Sequence, residues 1–128
     1  MRTAAVIFRW IVRITGVIQI VLGVLFWTGN ADALVPVHML SGLILVISLW
    51  VLGILALQSH TNVSLAIVAF IWGLITIALG MTQGAILPGS AHWVIQVIHL
   101  LVGIGAIGMA DRLANGILHE QMTTVRTA

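Results

Sequence analysis

Two histidines stand in nearly the same short phrase of a chain that is otherwise largely hydrocarbon. His38 belongs to VHMLSG (37–42) and His99 to IHLLVG (98–103), and Gly42 or Gly103 follows four positions later. A neutral imidazole has one lone pair and one N–H, and in an apolar setting both need a partner. A metal takes up the lone pairs of two imidazoles at once. The two phrases therefore predict metal ligation by His38 and His99.

The iron of a b-type haem is the metal that suits two facing imidazoles best. The porphyrin supplies four nitrogens, so the protein has to supply only two axial ligands. The chain contains no cysteine, which excludes thiolate ligation and iron–sulfur clusters. Haem b is accordingly the expected cofactor.

Small and polar residues share one face of each predicted helix, and we expect these faces to converge in the interior. Glycines there give a flat ring room, although close helix packing also explains glycines. For His92, a polar helix start at the membrane interface and a surface proton or quinone contact remain alternatives. The predicted cofactor-binding residues are Gly16, Gln19, Gly23, Gly42, Gly73, Thr76, Gly80, His92, Gln96 and Gly103.

The composition indicates a membrane protein. Of the 128 residues 61% are hydrophobic and only 6% are charged, which leaves too little polar surface for a water-soluble domain. The five basic residues, against three acids, are all arginines. They indicate membrane topology and not a nucleic-acid partner.

Four apolar segments are about long enough to cross roughly 30 Å of hydrocarbon. They are predicted at 11–28, with a helical lead-in from Ala4, and at 33–57, 63–83 and 91–110. The turn-forming stretches TGNAD (28–32), QSHTN (58–62) and LPGS (87–90) separate them. Residues 111–128 are predicted to be a cytoplasmic tail, weakly amphipathic and then disordered. The whole chain, 1–128, is expected to be one transmembrane domain.

The arginines set the expected orientation. Arg2, Arg9 and Arg13 flank the first span, Arg112 and Arg126 follow the fourth, and neither 29–32 nor 84–90 contains Lys or Arg. The positive-inside rule then places both termini in the cytoplasm. The expected location is the bacterial cytoplasmic (inner) membrane, N-in and C-in.

The chain also repeats itself. A shift of 57 residues aligns RITGVIQIVLGVLFWTG (13–29) with FIWGLITIALGMTQG (70–84), and four further residues bring VHMLSG onto IHLLVG. Two tandem helical hairpins follow, which predict an all-α, four-helix up-down-up-down bundle with the second and fourth helices on a diagonal. A cleavable signal peptide ending at ADA (31–33) is the alternative for the first span, and the repeat disfavours it.

This pattern resembles the small b-type membrane cytochromes, four-helix proteins with axial histidines on different helices and glycines where the porphyrin packs. It is a resemblance of type that covers the architecture of most of the chain, and it rests on His38 and His99 with their flanking glycines. It implies electron transfer within the membrane. In such cytochromes basic side chains often meet the haem propionates. The predicted outer side of this chain has none, so substitutes are expected among Ser90, His92, Gln96, Trp27 and Trp93.

Other functions remain open at this stage. We expect an electron carrier more than an enzyme with its own substrate. Its partners would be membrane lipid and a quinone or a respiratory or photosynthetic complex, with no nucleic acid, and a homo-oligomer is compatible. One alternative is a non-catalytic subunit or scaffold whose histidines bond to Gln19, Thr76 or Gln96. The other is a small transporter that uses His38, His92 and His99, although no acidic residue lies mid-span.

Overall fold

Four long helices make up the chain. The computed structural model describes the backbone of residues 1–127 and the side chains of residues 1–120. The helices are α1 (Arg2–Trp27), α2 (Val35–Gln58), α3 (Val63–Thr82) and α4 (His92–Thr127), with 3₁₀ turns at Asp32–Leu34 and Gln83–Ala85. All four are long and apolar enough to cross a membrane.

The helices form a bundle in which neighbours run in opposite directions. Gln19 of α1 reaches the start of α2, whereas Arg9, near the start of α1, reaches Asp111 late in α4. Trp50 of α2 bonds to Phe70 of α3, and Trp72 of α3 bonds to the carbonyl of Val102 in α4. Helices α2 and α4 also contact each other across the bundle, as the duplicated hairpin predicts for the diagonal pair.

One half of the bundle is tightly packed. Alanines on all four helices let the backbones approach closely, and leucines fill the space between them. We call this the packed half; its buried residues are Ala5, Val12, Leu49, Leu52, Ala56, Ala66, Ala69, Ala106, Ala110, Leu113, Ala114 and Ile117. The opposite half, where α2 and α4 begin, contains few fully buried side chains. We call it the open half.

Helix α4 is longer than the sequence analysis predicted. The predicted tail from 111 onward is helical through Thr127, and its side chains Leu113, Ala114 and Ile117 are fully buried. The apolar face of this segment packs into the bundle, because burial there stabilises a helix that has little preference of its own. Helix α1 begins at Arg2, two residues before the predicted lead-in from Ala4, and Ala5 lies in the core.

Candidate functional site

His38 and His99 lie opposite each other in the open half. His38 is in the first turn of α2 and His99 in the second turn of α4. Their ring centroids are 6.3 Å apart and the ring planes are inclined by 51°. The duplicated phrase thus brings the two imidazoles together across the diagonal of the bundle.

This separation matches the spacing of two imidazoles bound to opposite sides of one metal. An imidazole nitrogen binds iron or zinc at about 2 Å and lies roughly 1.1 Å from its ring centre, so two trans ligands have ring centres about 6 Å apart. The observed 6.3 Å agrees with that distance. Among the described residues, no hydrogen bond joins the two rings, whose buried Nδ1 atoms have no partner.

Neither ring is held as an ordinary core histidine. The Nδ1 atoms of His38 and His99 are buried and have no hydrogen-bond partner among the side chains and backbone that the structure describes. Buried polar atoms are normally paired, and unpaired ones call for a functional explanation. The nearest aromatic neighbour of His38 is Phe26, whose ring meets the imidazole edge-on at 5.3 Å. Phe26 packs against the ring of His38 but gives its nitrogens no hydrogen-bond partner.

A cavity of about 580 Å³ surrounds the two histidines. That volume lies within the range of small-molecule and cofactor sites, roughly 300–1,000 Å³. Leu45, Val46, Ile77 and Ile107 are among its apolar walls, and all four helices contribute to it. An apolar cavity with two convergent ligand side chains is the expected form of a binding site for a flat, mostly hydrophobic cofactor.

Glycines create much of this space. A Cβ built on Gly23 or Gly103 would meet no other atom within 4 Å, and one on Gly80 would touch only His99 at 3.5 Å. These three glycines line the cavity. A side chain at any of them would project into the space beside the histidines.

Eight of the ten predicted cofactor-binding residues line the cavity. They are Gln19, Gly23, Gly42, Thr76, Gly80, His92, Gln96 and Gly103. Gly16 and Gly73 lie elsewhere. A Cβ on Gly16 would collide with Ile107, and one on Gly73 with Trp50, so these two glycines serve close helix packing.

Gln19 positions the His38 turn. Its Nε2 donates to the backbone carbonyl of His38 and to Ser41 Oγ, the latter at 2.7 Å. Gly42 allows this contact, because a Cβ there would come within 3.1 Å of Gln19 Nε2. The amide of Gln19 therefore bonds to the backbone that carries the imidazole and not to the imidazole itself.

The loop end of the cavity is polar but holds no basic side chain. Among residues 1–120, Asp32, Gln83, His92 and Gln96 line this end, and no Lys or Arg does. Nδ1 of His92 lies 3.3 Å from the carbonyl oxygen of Ile86, which ties the start of α4 to the preceding loop. This end of the cavity therefore offers hydrogen bonds from the side chains of Gln83, His92 and Gln96 and one acidic group, Asp32.

The sequence analysis missed most of the apolar lining, and also Phe26, Asp32 and Gln83. Phe26 lies in the last turn of α1, whereas Asp32 and Gln83 lie in the two 3₁₀ turns. The two turn residues reach the cavity through the fold of the loops, which no helical pattern predicts. The helical pattern could have identified Phe26, because it lies about one turn after Gly23 on the same face of α1.

Among the described residues, the histidine pair has no third metal ligand beside it. Within the described residues there is no group of three or more His, Cys, Asp or Glu side chains that could hold a metal ion. A metal between His38 and His99 needs further donor atoms, which a porphyrin would supply from its own four nitrogens.

Comparisons with protein-family models, with curated proteins and with solved structures found no match for the chain.

Proposed function

We propose that the protein is a b-type membrane cytochrome in which His38 and His99 are the two axial ligands of one haem. The observation that supports this most strongly is the imidazole pair across the cavity, with ring centres 6.3 Å apart. The unpartnered Nδ1 atoms and the glycine-lined space add to it. The haem iron, when bound, carries one electron between two oxidation states.

The residues of the chain would bind and orient the group. Gly23, Gly80 and Gly103 leave room beside the histidines, and the apolar walls exclude water. Gln19 holds the first turn of α2, which fixes the position of His38. Gln96 and His92, at the loop end, offer hydrogen bonds to polar edges of the ligand. Two neutral imidazoles and a dry shell would tune the reduction potential.

In this proposal the bundle crosses the bacterial cytoplasmic membrane as an up-down-up-down unit with both termini in the cytoplasm. Four apolar helices with alternating directions support it, and so does the distribution of arginines. Trp27 and Trp93 are exposed at the open end, where aromatic side chains would mark the outer interface. The haem would then lie in the outer half of the membrane, within reach of a quinone or of a respiratory or photosynthetic complex.

Two other functions fit the structure less well. A scaffold built on hydrogen-bonded histidines calls for a closed interior, whereas these histidines are unpaired and border a cavity. A transporter needs a path through the bundle, whereas the packed half fills the interior with Leu49, Leu52 and Leu113. Electron transfer requires only a site that binds the haem, so these observations favour the cytochrome over the scaffold and the transporter.

The optical spectrum of protein purified from haem-replete cells tests this function. We expect a Soret band and, after dithionite reduction, resolved α and β bands of a six-coordinate b-type haem. His38→Ala and His99→Ala should lose these bands. His60→Asn is the control, because His60 is an exposed histidine in the loop between α2 and α3. A colourless wild-type protein would end the cytochrome assignment.

A further inference from the structure

A second polar cluster lies between α1 and α4, far from the histidines. Arg9 Nε donates to Asp111 Oδ1 at 2.8 Å, and Arg13 Nε donates to the same oxygen at 3.1 Å. Arg13 Nη2 lies 3.4 Å from Oδ2. Two guanidiniums thus share one carboxylate, which leaves a surplus of one positive charge.

The cluster is partly exposed at the surface of the bundle. The exposed fractions of the Arg9 and Asp111 side chains are 23% and 33%, and that of Arg13 is 38%. At a rise of about 1.5 Å per residue, Asp111 lies roughly 27 Å from Trp93, and Arg9 roughly 27 Å from Trp27. In a hydrocarbon layer of about 30 Å, Arg9 and Asp111 would fall just inside the edge opposite the proposed haem site, and Arg13 about one turn deeper.

A surplus positive charge at that depth is costly unless an anion meets it. The guanidiniums have donors to spare. Within the described side chains, both terminal nitrogens of Arg9 and Nη1 of Arg13 have no acceptor. Planar guanidinium donors match phosphate oxygens in pairs.

The surroundings of the cluster suit a lipid. The guanidinium of Arg13 lies 5.4 Å from the ring centre of Trp10, and Trp10 is 55% exposed. One and two turns further toward the bundle centre, Ile14 and Val17 are also exposed on α1. An anionic headgroup at Arg9 and Arg13 would therefore have aromatic and aliphatic surface along which its acyl chains could lie.

We propose that Arg9 and Arg13 form a binding site for the phosphate of an anionic phospholipid of the inner leaflet. It depends on the membrane insertion proposed above and not on haem. Asp111 sets the strength of the site, since its carboxylate cancels one of the two positive charges and holds both guanidiniums in place. The site would also join α1 to α4 through the lipid.

Native mass spectrometry of the full chain can test this site with phosphatidylglycerol and phosphatidylcholine as probes. We expect one phosphatidylglycerol to be retained in preference to phosphatidylcholine. Arg13→Gln should weaken that binding about fivefold, the effect of one basic side chain near anionic lipid. Arg2→Gln is the matched control, since it removes the same charge from an exposed position at the start of α1 and should change binding little.

Asp111→Asn distinguishes a lipid-binding site from a cluster that only stabilises the fold. The variant removes the cancelling charge, so phosphatidylglycerol should bind at least as tightly as to the wild type. If Asp111→Asn and Arg13→Gln lose lipid equally, the cluster is merely structural and the lipid site is wrong. Equal retention of both lipids, or displacement by inorganic phosphate at equal concentration, would also overturn it. Because the readout is bound lipid, a colourless protein that retains phosphatidylglycerol contradicts the haem and leaves this site standing.

Discussion

At the scale of single residues, the sequence was most informative about the histidines. An imidazole in an apolar chain is rare enough to predict a role from its type alone, and the repeat predicted which two would meet. The glycines were harder to assign. Gly16 and Gly23 have the same type and similar surroundings in sequence, yet one packs against Ile107 and the other borders the cavity. The two glycines differ in whether a side chain of a neighbouring helix lies against them, and a sequence pattern does not show that.

Chemical rescue tests the role of His38 as a ligand. His38→Ala should fold and bind haem through His99 alone, more weakly than the wild type, because one axial ligand is gone while the cavity remains. Added imidazole should fit the vacated space and restore a six-coordinate spectrum. The measurement is a titration of haem-loaded His38→Ala with imidazole, with His60→Asn as a variant that needs no rescue. A spectrum of His38→Ala that already equals the wild type would show that another residue ligates.

A glycine comparison tests whether the space beside the histidines is used. Gly103 and Gly108 both lie on α4, and a Cβ on either meets no atom within 4 Å. Only Gly103 lines the cavity. Valine at either position should change helix propensity to the same extent. Gly103→Val should therefore lose most of its haem while Gly108→Val keeps it. Equal haem content, measured as pyridine haemochrome per chain, would contradict the assignment of the cavity.

At the scale of elements, the apolar runs predicted the four helices well and their ends poorly. Boundaries failed where packing, and not hydropathy, extends the helix. The segment from Asp111 to Glu120 carries charged residues that suggest a tail, yet its apolar positions Leu113, Ala114 and Ile117 are buried in the core. The small side chains of Ala114 and Ala110 permit that packing, which only the assembled bundle makes visible.

Leu113 offers a test of this extension. Its side chain is fully buried in the packed half, so Leu113→Ala should destabilise the protein by about 2–5 kcal/mol, through lost apolar burial and the cavity that remains. Asn115→Ala, at an exposed position of the same helix, should change stability little. Thermal unfolding in detergent compares the two variants. If Leu113→Ala unfolds at the same temperature as Asn115→Ala, the segment beyond 110 does not belong to the core.

At the scale of the whole molecule, the two halves of the bundle differ in how closely their side chains are packed. The packed half carries the close contacts that hold four helices together, and this allows the open half to keep a cavity that a uniformly packed bundle would close. The duplicated phrases place His38 on α2 and His99 on α4, two helices that contact each other across the bundle. The repeat predicted that these two histidines would meet. It did not predict the cluster of Arg9, Arg13 and Asp111, since residues about a hundred positions apart show no shared pattern.

The orientation in the membrane can be tested by single cysteines, since the chain has none of its own. Asn30→Cys, in the exposed turn after α1, should react with a membrane-impermeant maleimide added to intact cells. Thr3→Cys, at the exposed start of α1, should react only after the membrane is opened. The reverse pattern would place the histidines on the cytoplasmic side and contradict the topology derived from the arginines.

Electron paramagnetic resonance of the oxidised protein tests the central claim most directly. Two imidazoles on opposite sides of one ferric haem enforce a low-spin iron. We therefore expect a low-spin signal from one haem per chain, replaced by a high-spin signal in His38→Ala and in His99→Ala and unchanged in His60→Asn. A high-spin wild-type signal, or a low-spin signal that survives both histidine substitutions, would contradict ligation by His38 and His99.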